Sequence, residues 1–246
     1  MQAAVSVEKI YFRYAKNSEP CLNNISLKIS EGDRFGLFGP NGAGKTTLIS
    51  IMTGLLKPQN GNVFLFGIDA SSDRNAKKLF GFVPQDFAFY EELTPVENLQ
   101  FFGAWSGLNR NQIKNRTDEL LTVLGLNDVR NKVLKSFSGG MKRRLNIAIG
   151  VIHEPKIIFL DEPTVGVDVQ TRFAIINYLK QLNAKGATLI YTSHLLQEAE
   201  DLCNRIALID EGKIILNDEL EKLLIDHDKK GLEELFLNLT GKAYRD

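Results

Sequence analysis

The segment Gly39-Pro40-Asn41-Gly42-Ala43-Gly44-Lys45-Thr46 decides the fold of this chain. It fits G-x-x-x-x-G-K-[ST], the Walker A pattern of phosphate-binding loops. Glycine has no Cβ, so the backbone can adopt positive φ and approach an anion closely, and successive N–H groups then surround the phosphates. In such loops the lysine reaches the β- and γ-phosphates and the threonine hydroxyl ligates Mg²⁺. The segment, with Thr47 after it, therefore predicts a nucleotide site.

The flanking sequence predicts a strand before this loop and a helix after it. Arg34–Phe38 is typical of a short strand. After the loop, apolar residues recur at the spacing of one helix face: Leu48, Ile51, Met52 and Leu55. This order aims a helix N-terminus at phosphate, which disfavours a chance glycine turn. GTPases, kinases and motor ATPases share the pattern, but the chain lacks the N-K-x-D that specifies guanine.

The composition is that of an ordinary globular protein. Of 246 residues, enough for one large or two small domains, 43% are hydrophobic and 24% are charged. Lys and Arg total 30, as do Asp and Glu, so no net field attracts nucleic acid or an anionic membrane.

Cys21 and Cys203 form no C-x-x-C, which favours reduced thiols in the cytosol. No run approaches 18 apolar residues and no signal-peptide core is visible, so we expect a cytosolic protein without a membrane span.

The remaining sequence predicts an α/β fold. In residues 5–30, the alternating apolar residues Ile25, Leu27 and Ile29 indicate a half-exposed strand, and with Val63 and Leu65 after the turn at 58–61 these pieces predict an antiparallel layer. Residues 94–154 have helical spacing, typical of an inserted helical subdomain. Thereafter strands and helices alternate. We predict strands at 157–160 and 187–192, a helix around 175–182, a hairpin of 205–209 with 213–216, and a helical tail over 217–246. The buried strand at 157–160 is typical of a parallel sheet.

Three residues that follow predicted strands are candidates for chemistry. Asp161 and Glu162 end the apolar run, where α/β folds bind ligands. Asp161 suits Mg²⁺ and Glu162 suits polarisation of the attacking water, with a pair that caps the next helix as the alternative. His194 follows another strand, and a neutral imidazole there can donate to a γ-phosphate or position water, although alone it would be structural. His153 and His227 receive no role.

Ser138-Gly139-Gly140 precedes an apolar helix face that stops before Pro155. Serine is a good N-cap, and the exposed N–H groups beyond it attract anions. Alone, the segment is more typical of an ordinary capped helix. The run Lys142-Arg143-Arg144 adds positive charge near the same helix start, and by itself it is typical of a solvated or salt-bridged face.

The ordered set of motifs resembles the ATP-binding cassette of ABC transporters over nearly the whole chain. Besides Walker A, the matching segments are the Q-loop at Gln85, the signature at Phe137–Met141, Walker B at Ile157–Pro163, the D-loop at Val165–Asp168 and the H-loop at Thr192–His194. An aromatic residue near the start stacks on adenine in this family. Tyr14 is the expected one, with Tyr11 and Phe12 as alternatives. The resemblance implies a single ABC nucleotide-binding domain over residues 1–246, with a P-loop NTPase core, a mixed sheet and an antiparallel β-subdomain.

The resemblance also implies a Mg²⁺-dependent ATPase whose site is shared by two cassettes paired head to tail. Walker A of one cassette faces the signature of the other, so the implied ATP contacts include Ser138, Gly139, Gly140 and Asp168. The implied catalytic residues are Lys45, Gln85, Glu162 and His194, and the implied metal ligands are Thr46, Gln85 and Asp161. The implied partners are ATP, a second cassette (a copy of this chain or a relative) and a separate permease on the cytoplasmic face of the plasma membrane. Nucleic acid is not expected.

Two residues depart from the usual signature, since Phe137 and Met141 stand in place of Leu and Gln. This variant, and the ending from Leu232 to Gly241, resemble the subfamily that serves ABC-2-type exporters of drugs, lipids or polysaccharides. The alternative is a soluble ABC ATPase that acts on ribosomes or DNA. Ribosome-acting members usually carry two cassettes, and DNA-repair members insert a long coiled coil that residues 47–137 lack. Tyr90, Leu93 and Trp105 are candidates for a groove that receives the permease, with ordinary packing as the alternative.

Overall fold

The computed structural model describes residues 2–16, 19–226 and 231–240. The strands in chain order are β1 Ala3–Phe12, β2 Leu22–Ser30, β3 Arg34–Phe38, β4 Asn60–Leu65, β5 Ile68–Asp69, β6 Phe80–Val83, β7 Ile157–Asp161, β8 Thr188–Ser193, β9 Arg205–Asp210 and β10 Lys213–Glu219. The helices are α1 Lys45–Met52, α2 Pro95–Trp105, α3 Arg110–Val123, α4 Gly139–Val151, α5 Val169–Ala184, α6 Gln197–Leu202, α7 Leu220–Asp226 and α8 Leu232–Thr240. The chain divides into two compact units: the first is Met1–Leu79 with Thr188–Asp246, and the second is Phe80–Ala187.

The first unit contains the predicted antiparallel layer. Its strands pair in the order β2-β1-β4-β5. Ile25, Leu27 and Ile29 are buried while their neighbours in β2 face solvent, so the period of two in the sequence marks the face that packs on the core.

The first unit also contains a mixed arrangement of strands around β3. Strand β3 pairs in parallel with β8 on one side and with β9 on the other, and β9 pairs with β10 in antiparallel. Phe38, the last residue of β3, lies opposite Ser193, the last residue of β8. Gly39 and His194 therefore leave neighbouring strands at the same edge, where parallel sheets bind ligands.

The second unit is built on the parallel pair β6 and β7, with helices α2 to α5. Val83 lies opposite Leu160, so the residues after β6 and the end of β7 reach one edge together. Strand β6 has no counterpart among the predictions because it is four residues long and contains Gly81. A Cβ at Gly81 would lie 1.9 Å from the carbonyl oxygen of Gly150 in α4, so the packing of α4 requires glycine there.

The α/β class is confirmed, but two element boundaries were wrong. Leu55 was expected on the buried face of α1, yet the helix ends at Met52 and Leu55 is 65% exposed. Gly54 turns the chain at φ +70°, which ends the helix periodicity. Strand β10 runs to Glu219 where helix was predicted from Asn217. The single-domain boundary and the limits 94–154 stay predictions, and residues 227–230 and 241–246 of the predicted tail, including His227, lie outside the described residues.

Candidate nucleotide site

The loop before α1 is shaped by close approaches of its backbone. A Cβ at Gly39 would lie 2.1 Å from the carbonyl oxygen of Ile209, so only glycine fits against β9. Gly44 caps the helix at φ +106° and offers no side-chain acceptor to the first N–H groups of α1. Asn41, Gly42 and Thr46 are exposed. The first backbone N–H groups of α1 therefore remain available to an anion placed over the loop.

Lys45 lies inside this loop. Its side chain is 5% exposed, and Nζ donates to the carbonyl oxygens of Gly39 at 2.7 Å and Pro40 at 3.2 Å. The ammonium is thus held among backbone dipoles at the centre of the loop. A phosphate that enters the loop would exchange these neutral acceptors for a charged one, which makes stronger hydrogen bonds.

Tyr14 is the aromatic residue with its ring exposed beside the loop. It is 68% exposed, and its hydroxyl lies 2.9 Å from Oγ1 of Thr47 in α1. Phe12 is buried, and Tyr11 lies under the guanidinium of Arg13 at 5.5 Å. The arrangement favours Tyr14 among the three candidates for stacking on a base, and its role stays a prediction.

The predicted acids lie at the end of β7 in the second unit. Asp161 and Glu162 are both buried, and Glu162 has φ +48°. Left-handed backbone at a non-glycine residue costs on the order of 1–3 kcal/mol, and such strain is found preferentially at active sites. Gln85 is exposed two residues after β6 and therefore reaches the same edge as Asp161. The structure thus brings Gln85, Asp161 and Glu162 together at one edge of the second unit.

Helix α4 begins at the predicted signature. The Ser138 hydroxyl accepts a hydrogen bond from the N–H of Met141 at 3.3 Å, and Ser138 and Gly139 are exposed. A Cβ at Gly139 would meet nothing closer than a carbonyl oxygen 4.0 Å away. Glycine is therefore not required there by packing within the second unit, and it leaves the helix start open to an external group.

The start of α5 lies beside this signature. A Cβ at Gly140 would lie 3.2 Å from Oγ1 of Thr171, and Asp168 caps α5 by accepting from the N–H and the hydroxyl of Thr171, both at 2.8 Å. The hydrogen bond from the Thr171 N–H is the main cause that lowers the pKa of Asp168. Asp168 thus serves as a helix cap in the described structure, and its contact with ATP stays a prediction.

The basic run after the signature is not an open cationic face. Lys142 pairs with Glu91 at 2.6 Å, and Arg144 donates to the carbonyl oxygen of Leu124 at 2.8 Å. Arg143 is buried, donates to the carbonyl oxygen of Gln85 at 2.8 Å, and burial lowers its pKa. The interpretation as a solvated or salt-bridged face is confirmed for Lys142, which is salt-bridged, and was wrong for Arg143, whose buried side chain contacts the Gln85 backbone.

Sequence reasoning missed a second anchor of the same segment. Asn146 donates to the carbonyl oxygen of Pro84 at 3.0 Å and accepts from the N–H of Ala88 at 3.4 Å. Asn146 is buried among apolar residues of α4, and a polar residue within an apolar helix face is the signal that points to such a role. Together Arg143 and Asn146 fix the chain around Gln85 to the helix that begins at Ser138.

Comparison with known proteins identifies the family. The family described as ABC transporter matches residues 22–165, more than half of the chain. The chain belongs to the ABC transporter family. It is similar to the linearmycin resistance ATP-binding protein LnrL of Bacillus subtilis, with 43% identity over 86% of this chain and 68% of LnrL. It is 33% identical to the ABC transporter ATP-binding protein NatA of the same organism over 92% of this chain and 93% of NatA.

Solved ABC cassettes share its fold. An ATP-binding subunit of an ABC transporter superposes with a TM-score of 0.87 at 27% identity, covering 96% of this chain and 99% of that one. A dimeric cassette in a post-hydrolysis state, bound to ADP and Pi, gives a TM-score of 0.80 at 28% identity, covering 88% and 98%. The chain is therefore an ABC ATPase, the ATP-binding subunit of a transporter, with the fold of an ABC nucleotide-binding domain. No helix in the described ranges is long and apolar enough to cross a membrane.

Proposed function

We propose that this cassette works as one of a head-to-tail pair that hydrolyses ATP to drive export through a separate ABC-2-type permease. Among its relatives, the daunorubicin resistance protein DrrA3 of Streptomyces coeruleorubidus is 36% identical over 97% of this chain and 79% of DrrA3. A Nod factor export ATP-binding protein of Cupriavidus metallidurans is 37% identical over 82% of this chain and 67% of that protein. These names, with the aromatic signature, support export as the direction of transport.

The open start of α4 carries the pairing part of this proposal. The Ser138 hydroxyl caps the helix, and a Cβ at Gly139 would meet nothing closer than the carbonyl oxygen of Gly166, 4.0 Å away. An exposed helix N-terminus favours an anion, and the γ-phosphate held by the Walker A loop of a second cassette supplies one. A two-fold pair of identical chains forms two such sites at once.

The residues at each strand edge have the chemistry that hydrolysis needs. Lys45 would hold the β- and γ-phosphates, Glu162 would orient and deprotonate the attacking water, and His194 would donate to the γ-phosphate. The oxygens of Thr46, Gln85 and Asp161 are the type that Mg²⁺ prefers, and the ion would supply charge neutralisation. Among the described residues no group of three or more His, Cys, Asp or Glu could hold a metal, and the proposed set contains only one such residue.

An exposed aromatic surface of the second unit suits the permease. It consists of Tyr90, Phe101 and Trp105, and Trp105 is 83% exposed. The rings of Tyr90 and Phe101 are 5.0 Å apart, and those of Phe101 and Trp105 are 6.5 Å apart. Contiguous exposed apolar groups mark interaction sites, and this surface follows the Gln85 segment in sequence. The cassette would thereby be held at the cytoplasmic face of the plasma membrane.

The substitution Glu162→Gln tests the catalytic assignment. The amide keeps the size of the side chain but loses its basicity, so ATP hydrolysis should fall at least about 100-fold while ATP still drives dimer formation. Phosphate release and light scattering on a sizing column measure the two quantities. The exposed Glu221→Gln is the matched control and should leave both unchanged. Near-normal turnover in the Glu162→Gln protein would remove Glu162 from this role.

The competing function is a soluble ABC ATPase that acts on ribosomes or DNA. The formal net charge of zero offers no general attraction to nucleic acid. We expect the tagged chain to co-purify with a membrane protein from detergent-solubilised membranes, and Trp105→Ala to weaken that association. Sedimentation with ribosomes, unaffected by Trp105→Ala, would instead favour the competing function.

A further inference from the structure

In the first unit, a buried carboxylate is hydrogen-bonded to Ser193, the residue before His194. Glu198, in α6, is 1% exposed, and its Oε2 accepts two hydrogen bonds from β8: from the Tyr191 hydroxyl at 2.7 Å and from the Ser193 hydroxyl at 2.6 Å. A buried carboxylate is costly unless it is well hydrogen-bonded, so the position of Glu198 is fixed by its donors.

The hydrogen bonds continue around His194. The Ser193 hydroxyl oxygen also accepts from the N–H of Leu195 at 2.9 Å, and the N–H of Glu198 donates to the carbonyl oxygen of Leu195 at 3.1 Å. The residues immediately before and after His194 are thereby tied to one another and to Glu198. The turn that presents His194 is closed by three hydrogen bonds that involve Ser193, Leu195 and Glu198.

The location of this turn gives the network a functional consequence. Ser193 lies opposite Phe38, so His194 leaves the sheet beside Gly39, the first residue of the Walker A loop. Tyr191 and Glu198 are fully buried and have no route to a nucleotide, whereas His194 is half-buried. Any effect of Glu198 on hydrolysis is therefore indirect, and its hydrogen bond to Ser193 provides a route through the turn.

We propose that Glu198 is a positioning residue for His194: its carboxylate, held by Tyr191 and Ser193, sets the direction in which the imidazole points. This inference rests on the proposed role of His194 in hydrolysis. Small errors in the placement of a catalytic group reduce the rate of chemistry far more than they reduce binding. Loss of the carboxylate should therefore lower kcat and leave the KM for ATP nearly unchanged.

The first test is Glu198→Gln, compared with Glu200→Gln in the same helix, where the side chain is exposed. The amide oxygen can still accept from both hydroxyls, but it lacks the charge that strengthens these hydrogen bonds, so the turn is held less firmly and kcat should fall about tenfold with KM within about twofold. Glu200→Gln should leave both constants unchanged. Tyr191→Phe removes one donor and keeps the ring, so it provides a milder variant if Glu198→Gln is poorly folded, and it should lower kcat about threefold.

The decisive test is a double-mutant cycle with His194→Ala. If Glu198 acts through His194, Glu198→Gln will lower kcat in the parent chain but cause no further loss in the His194→Ala chain. Effects that multiply, or an unchanged kcat in both Glu198→Gln and Tyr191→Phe, would overturn the inference and leave the proposed function intact. An unchanged rate in His194→Ala itself would instead remove the histidine from the proposed mechanism and the inference with it.

Discussion

Helices α1 and α4 both begin at glycine-bearing turns suited to phosphate, but the two turns differ in why they need glycine. At α1, Gly39 is forced by a carbonyl oxygen 2.1 Å from where its Cβ would lie, and Gly44 by φ +106°. At α4, Gly139 is helical and its Cβ would meet nothing closer than a carbonyl oxygen 4.0 Å away. The glycines of the first turn are thus required by the packing and backbone of their own unit, whereas Gly139 in the second turn is not, as the proposed shared site predicts.

The lysine side chains at the two turns also differ in what they contact. Lys45 is buried in the Walker A loop and points at its carbonyl oxygens, so it needs little movement to meet a phosphate. Lys142, near the start of α4, is already paired with Glu91. The α4 turn would therefore attract an anion through its N–H groups rather than through the Lys142 ammonium.

The largest expected effect comes from removing these two lysines. Lys45→Ala should weaken ATP binding by on the order of 100-fold, because charged hydrogen bonds to phosphate are lost. Lys142→Ala should change it less than about threefold, since the half-buried Lys142 ammonium is already paired with Glu91. Titration with a fluorescent ATP analogue measures both. Comparable losses in the two variants would contradict this difference between the two lysines.

A matched pair of alanine substitutions separates the two glycines. Gly39→Ala forces a clash with backbone and should lower the free energy of unfolding by about 1–3 kcal/mol. Gly139→Ala should raise it by about 0.5 kcal/mol, because alanine favours helix, yet it should reduce ATP hydrolysis by placing a methyl group on the open helix start. Urea unfolding and phosphate release provide the two measurements. A destabilised Gly139→Ala protein would mean that its glycine serves packing after all.

The smallest expected effect concerns the cap of α5 beside the signature. The pKa of Asp168 is lowered in the folded state, chiefly by the Thr171 N–H, so its contribution to stability is present above the ordinary aspartate pKa of about 3.9 and is lost as the pH falls through the folded value. Asp168→Asn should be slightly less stable than the parent at pH 7, and this difference in Tm should shrink as the pH falls below the ordinary aspartate pKa and vanish below the lowered folded pKa. A constant difference across that range would contradict the role of the charge.

The motifs were predictable because their chemistry depends on local residue order. The Walker A pattern, the Ser138 cap and the acids after a buried strand each follow from short stretches of sequence, and the α/β class follows from the strand and helix periods around them. In sequence, both glycine segments resemble phosphate-binding turns. The structure adds that packing within the unit requires glycine in the first segment but not at Gly139 in the second.

The features that could not be predicted depend on contacts between residues that are distant in sequence. Strand β6 is short and contains a glycine that only the approach of α4 explains. The inward turn of Arg143 toward the Gln85 carbonyl joins residues 58 positions apart. The hydrogen bonds from Tyr191 and Ser193 to Glu198 join the end of a strand to a helix. In the sequence, Glu198 stands in the polar run Gln-Glu-Ala-Glu, where no apolar periodicity indicates a buried position.

Mixing two inactive chains tests most directly whether the two turns form one site from different copies. Lys45→Ala and Ser138→Arg should each abolish hydrolysis alone. In a mixed dimer, one site combines the intact Walker A loop of one chain with the intact signature of the other, so an equal mixture should recover about a quarter of normal activity by random pairing. A chain carrying both substitutions, mixed with an inactive Lys45→Ala chain, should recover none. Absence of recovery in the first mixture, or full activity of Ser138→Arg alone, would contradict the shared site.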